Sequence, residues 1–168
     1  MPFINLVARA VACVVASGGG LIRALGVLLM AKDKIYNWSD AWLLLSIIYA
    51  GKPSGATLEK IIAAGDFINH AIFNPDELAS GFARLKSGGY IKEKRGIFSA
   101  TEKVMRAYSK TTSPRRAVHK ELEDIEILIG AASSASEQPH SNNLKYAGFS
   151  EEAYAEAVKR YIEGFGKS

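Results

Sequence analysis

Ten cations fall within residues 86–120: Lys86, Lys92, Lys94, Arg95, Lys103, Arg106, Lys110, Arg115, Arg116 and Lys120. Only Glu93 and Glu102 oppose them. Ammonium and guanidinium groups crowded into so short a piece can hold phosphates, and each contact formed releases counterions from a nucleic-acid backbone. The balance then reverses, with nine anions against four cations in residues 121–168. The whole chain is only mildly basic, at net +4. Its charge is therefore a matter of placement, one basic face and one acidic tail region, and a plainly solvated surface is the other reading of the same residues.

Catalysis finds little support. His70, His119 and His140 stand far apart, with no second ligand at metal spacing. His70 lies in an apolar stretch and reads as a satisfied core histidine. Cys13 is the only cysteine, which rules out an intrachain disulfide and a cysteine-based zinc site and fits a reducing, cytoplasmic setting. Gly18-Gly19-Gly20 lacks the Lys and Ser/Thr of a phosphate loop, and no dinucleotide fingerprint or paired-carboxylate motif occurs. The expectation is a protein that is not an enzyme and carries no cofactor or metal.

The elements around the cations follow from periodicity. Ser39 is an N-cap candidate for a helix through Trp42, Leu43, Ile47 and Ala50, closed by Gly51 and Pro53, whose wide apolar face suits the centre of a core. Thr57 starts a second helix with Leu58, Ile61 and Ile62 on one side. Gly65-Asp66 interrupts the pattern, and Phe67, Ile68, Ala71 and Ile72 resume it, so residues 57–73 read as a broken helix. Asn74, Pro75 and Glu77 form an N-cap, first-turn proline and capping-box glutamate for a third helix ending at Gly88-Gly89, with Leu78, Phe82 and Leu85 inward. The period then changes from 3.6 to 2. Tyr90–Glu93 and Gly96–Ser99 flank a short turn at Lys94-Arg95-Gly96, which is a hairpin signal. Thr101 begins a helix to about Thr112 with Val104 and Tyr108 inward, and Ser113-Pro114 stops it.

Helix, helix, helix, hairpin, helix is the order of a winged helix-turn-helix. The run Glu77-Leu78, Phe82, Leu85, Gly89-Tyr90-Ile91, then Phe98, Thr101 and Lys103, resembles the recognition helix and wing of bacterial regulators of the MarR and PadR kind. Val104 stands where that pattern commonly has Gly, and Ala100 where it has a larger apolar residue. The resemblance covers under half of the chain. It implies double-stranded DNA as partner and a small transcriptional regulator as the role. On that reading Lys92, Lys94 and Arg95 hold phosphates through the wing, Lys103 and Arg106 add to them from the next helix, and Ser80 and Arg84 face the major groove as readers. Against it, the third helix opens with Asp76 and Glu77, which favour the helix dipole but repel phosphate. The alternative is a winged-helix module that binds protein rather than DNA.

The fold class expected is mainly α with a small β-hairpin, a winged helix-turn-helix plus additional N- and C-terminal helices. Three regions are expected: an apolar extension over 1–30, the winged-helix domain over 38–112, and a helical extension over 114–168 with a linker near 132–148. Residues 3–30 are interrupted by Arg9, Arg23 and the Gly18-Gly19-Gly20 run, and their longest uncharged stretch is too short to span a bilayer. No membrane association is expected. Met30 reads as a cytosolic start, and a pair of apolar helices over 4–16 and 21–29 is the competing reading. Val118, Leu122, Ile125 and Ile129 form one stripe of a helix over 114–131. Tyr154, Val158, Tyr161 and Phe165 form another after the N-cap Ser150, with Phe149 and Tyr154 as a hydrophobic staple. These stripes either pack on the domain or join two copies into a dimer.

Overall fold

Asn37, not Ser39, caps the first helix, α1 (Trp38–Ala50). The Asn37 side chain accepts from the Asp40 N–H, and the Asp40 carboxylate accepts from the Asn37 N–H, each at 3.0 Å. The reciprocal pair satisfies two orphan donors. The Ser39 hydroxyl instead donates to Asn37 Oδ1 at 2.8 Å. The computed structural model describes residues 36–52, 54–130 and 146–165, all within one compact unit, Lys34–Ser168. The expectations for residues 1–30 and for the linker core at 132–145 lie outside the described residues.

Every side chain from Asp40 to Ile48 is buried, as a helix apolar nearly all round must be. It packs against α2 (Leu58–Asn69), α3 (Pro75–Ser87), α5 (Val118–Ile129) and one strand of the hairpin. The second helix runs unbroken through Gly65-Asp66, contrary to the break expected there. Gly65 serves a close approach instead. A Cβ at that position would lie 2.3 Å from Cε2 of the fully buried Phe73 ring. That ring stacks on Trp42 at 3.7 Å, and Trp42 Nε1 donates to the Gly65 carbonyl at 3.0 Å. α2 ends at Asn69, and His70 adopts a left-handed φ of 51°. Ala71 and Ile72 therefore lie beyond the helix on the surface. Because neither Phe73 nor its stacking partner can retreat, Gly65→Ala is expected to cost about 1–3 kcal/mol by overpacking. Urea denaturation should register this as a lower midpoint, and an unchanged midpoint would contradict the packing described.

The third helix follows expectation closely. Asn74 and Glu77 make a complete capping box, Pro75 occupies the first turn, and Leu78, Phe82 and Leu85 are fully buried. β1 (Ile91–Lys94) pairs antiparallel with β2 (Ile97–Ala100), in the register Lys92↔Ser99 and Lys94↔Ile97. Arg95 and Gly96 make the turn with φ of 54° and 75°, the left-handed pair that matches strand twist in two-residue hairpins. Ala56, ahead of α2, adds a bridge on the outer side of β2, exchanging two backbone hydrogen bonds with Phe98 at 2.8 and 2.9 Å. The next helix is α4 (Glu102–Thr111). The Thr101 hydroxyl is not its cap and donates to the Gly89 carbonyl at 3.0 Å.

Residues 114–117 precede α5 as irregular chain, so that helix is shorter than expected. Leu122, Ile125 and Ile129 join the core cluster against α1. In α6 (Glu151–Phe165) the Ser150 Oγ accepts from the Ala153 N–H at 3.1 Å, and the Phe149 and Tyr154 rings meet at 6.2 Å, completing the staple. α6 packs on α2, where Tyr161 donates to Asp66 and Tyr154 donates to the Phe73 carbonyl at 2.8 Å. Leu122, Ile125 and Ile129 of the first stripe considered for a dimer, and Tyr154, Val158 and Tyr161 of the second, thus pack within the chain. Among the described residues no helix is long and apolar enough to cross a membrane.

Candidate nucleic-acid interface

Strand alternation divides the hairpin residues between two faces. Ile91, Glu93, Phe98 and Ala100 turn inward, with Ile91 and Phe98 in the core. Lys92, Lys94, Ile97 and Ser99 share the outer face, on which both lysines are exposed. Arg95 at the tip is exposed as well, as is Lys103 in the first turn of α4. None of these four cations meets a carboxylate among the described residues. Arg106 does: its guanidinium pairs with Glu102 one turn back, with both side chains about three-quarters exposed. Such a pair is worth little and yields readily to a competing anion.

The inner face anchors this outer one. The Glu93 carboxylate accepts from the Gly96 N–H at 2.9 Å and from the Tyr146 hydroxyl at 2.8 Å, and Lys86 stands 3.5 Å away. The Gly96 hydrogen bond foremost, then the Tyr146 hydroxyl, hold Glu93 below the usual carboxylate range. Tyr146 also contacts the Phe82 and Phe98 rings at 6.1 Å, so the inner face of the hairpin is held up to the turn.

The third helix departs from expectation. Arg84 is not an outward reader. Its Nε and Nη2 donate to the two oxygens of Asp40, each at 2.8 Å, with side-chain exposures of 10% for Arg84 and 0% for Asp40. The bidentate pair fastens α3 to α1. The other cation of α3, Lys86, is engaged by Glu93 and lies 4.8 Å from the Tyr146 ring centroid. The Ser80 hydroxyl donates to the Asp76 carbonyl at 2.6 Å and is half-buried. The outward stripe of Asp76, Ser80, Ala83 and Ser87 carries no cation, and the exposed Lys86 flanks it.

Arg95 is unusual where it stands. A left-handed residue at the first turn position favours Asn, Asp or Gly, and an arginine there costs about 1 kcal/mol. Arg95→Asn should therefore raise the unfolding midpoint modestly while removing the tip cation, and a lower midpoint would contradict the turn geometry.

Three features escaped the sequence reading. Asp40 was hidden in an otherwise apolar helix, where a lone carboxylate is itself the signal of a buried partner. Glu121, buried on α5, accepts from Tyr49 at 2.7 Å, Tyr108 at 2.6 Å and Thr112 at 2.7 Å. His70, expected in the core, is exposed and closes α2. Among the described residues no group of His, Cys, Asp and Glu is arranged to hold a metal ion. Comparison of the chain with known protein families, with curated proteins and with solved structures found no match.

Proposed function

We propose that the chain is a winged-helix module that binds the phosphate backbone of duplex DNA through its hairpin, with little discrimination among sequences. The winged-helix reading draws support from the order of elements and from the Ala56 bridge, which adds a rudimentary third strand ahead of α2. The observation that carries the function is the outer face of the hairpin. Lys92, Lys94 and Arg95 project together without carboxylate partners, and Arg95 holds a backbone conformation unfavourable to it. Strain of this kind kept at an exposed tip points to a functional side chain. Lys103 extends the same charge, and Arg106 becomes available once Glu102 releases it.

Discrimination among sequences needs donors and acceptors facing base edges. On its outward stripe α3 offers Ser80, Ser87 and the carboxylate of Asp76, with Arg84 held by Asp40 and Lys86 turned toward Glu93. A sequence-specific regulator is therefore the narrower and less supported form of the proposal. The carboxylates of Asp76 and Glu77 at the start of α3 favour the alternative, a protein-binding module. Anisotropy titrations of the full chain with two unrelated labelled duplexes separate these readings. The proposal expects affinities equal within about threefold and a similar loss of about fivefold on both duplexes for Arg95→Ala, as for one phosphate contact. Absence of binding to either duplex at low salt would favour the protein-binding alternative.

A further inference from the structure

A cavity of about 480 Å³ lies between the inner face of the hairpin, the first turn of α2 and α6. That volume is within the range of small-molecule sites. Its walls are aromatic. Phe82 and Phe98 stack at 4.2 Å, Tyr146 meets both rings, and Phe149 lines the same space. The charged residues that line it are Glu59, Glu93 and Glu156 against Arg160, and Lys86 stands just outside, against Glu93 and the Tyr146 ring. Arg160 is paired with Glu156 at 3.0 Å, and Glu93 is engaged by Gly96, Tyr146 and Lys86. Glu59, half-buried at the start of α2, has no hydrogen bond or ion pair among the described residues.

An aromatic-lined pocket beside a half-buried carboxylate that no cationic side chain meets, offset only by the N-terminal dipole of α2, selects its occupant by charge. An anion would face three carboxylates, with Arg160 and Lys86 each already paired to one of them. A neutral apolar molecule would gain the ring contacts but leave Glu59 without a partner. We propose that this cavity binds a flat aromatic cation, its ring against Phe98, Tyr146 and Phe149 and its charge toward Glu59. The inference is independent of whether the outer face of the hairpin binds DNA.

Calorimetric titration of the full chain with N-methylquinolinium, and separately with 2-naphthoate, tests it. The two probes share a two-ring size and differ in the sign of their charge. The cation is expected to saturate one site per chain, with the anion at least about tenfold weaker. Glu59→Gln, at a position that reaches solvent, is expected to keep the parent melting curve and weaken the cation by roughly tenfold. Equal affinity for the two probes, unchanged cation binding by Glu59→Gln, or no saturable cation binding up to about millimolar concentration would each overturn the proposal.

Discussion

Arg84→Ala is expected to lower the stability of the fold by about 3–5 kcal/mol, because it leaves a buried carboxylate without its partner. Asp40 has no exposed surface, and both of its oxygens accept from the Arg84 guanidinium. Burial pushes the Asp40 carboxyl above its ordinary value even with Arg84 beside it, the guanidinium offsetting only part of that cost. A folded-state value above the unfolded one means that the native protein holds the proton more readily. The contribution is present below the unfolded Asp value and is lost as pH rises through the folded value. Removing Arg84 raises the carboxyl further, so the deficit of the variant should shrink as pH is lowered from 7 toward 5. The double variant Asp40→Asn/Arg84→Met, which removes both charges and keeps an acceptor for the Asn37 N–H, should recover most of the loss. Urea denaturation of the parent and both variants at the two pH values gives the answer. Arg84→Ala within about 1 kcal/mol of the parent, as for an ordinary surface substitution, would restore the outward reader expected from sequence.

The second large effect is expected at Glu121. Glu121→Ala leaves the hydroxyls of Tyr49, Tyr108 and Thr112 without their shared acceptor, at a cost of about 3–5 kcal/mol. The pH dependence is more diagnostic. Burial pushes the Glu121 carboxyl up, but the hydroxyls of Tyr108, Thr112 and Tyr49 together outweigh it and hold the group below its ordinary value. Its stabilising contribution is thus present above the unfolded Glu value and lost as pH falls through the folded one. The tyrosines run the other way. Burial first, and then hydrogen bonding to Glu121, raise Tyr108 to about 12 and Tyr49 higher still. Their contribution is intact below the ordinary tyrosine value and is lost as pH rises toward the folded values. Melting temperature should therefore fall below about pH 4.5 and again above about pH 10. Glu121→Gln should flatten both limbs, and limbs parallel to those of the parent would remove Glu121 from its place at the junction of α1, α4 and α5.

Features governed by neighbours in sequence were legible. Asn74, Pro75 and Glu77 specify the start of α3 within four residues, and the change of period at Tyr90 specifies the hairpin. The staple of Phe149 and Tyr154 around Ser150 is local in the same way. What was misread depends on distant partners. Gly65 has the look of a breaker until Phe73 and Trp42 are seen to need its missing Cβ. Arg84 occupies an outward phase of α3, yet Asp40, 44 residues earlier, draws it inward. Glu121 gathers hydroxyls from two other helices, which no spacing rule links. The candidate site divides along the same line. The exposure of the hairpin cations was legible because a strand tip exposes whatever it carries, whereas the inward turn of Arg84 was not, because helical phase alone does not reveal an ion pair.

The central claim is that the outer face of the hairpin holds phosphates, and salt dependence tests it most directly. Affinity for a random duplex should be measured by anisotropy across a series of salt concentrations, for the parent and for the triple variant Lys92→Ala/Lys94→Ala/Arg95→Ala. Each phosphate contact contributes about 0.9 to the slope of log affinity against log salt, so the triple variant should lose about 2.7 from it. A parent slope that the three substitutions leave unchanged, or a parent that binds no duplex at low salt, would contradict the account.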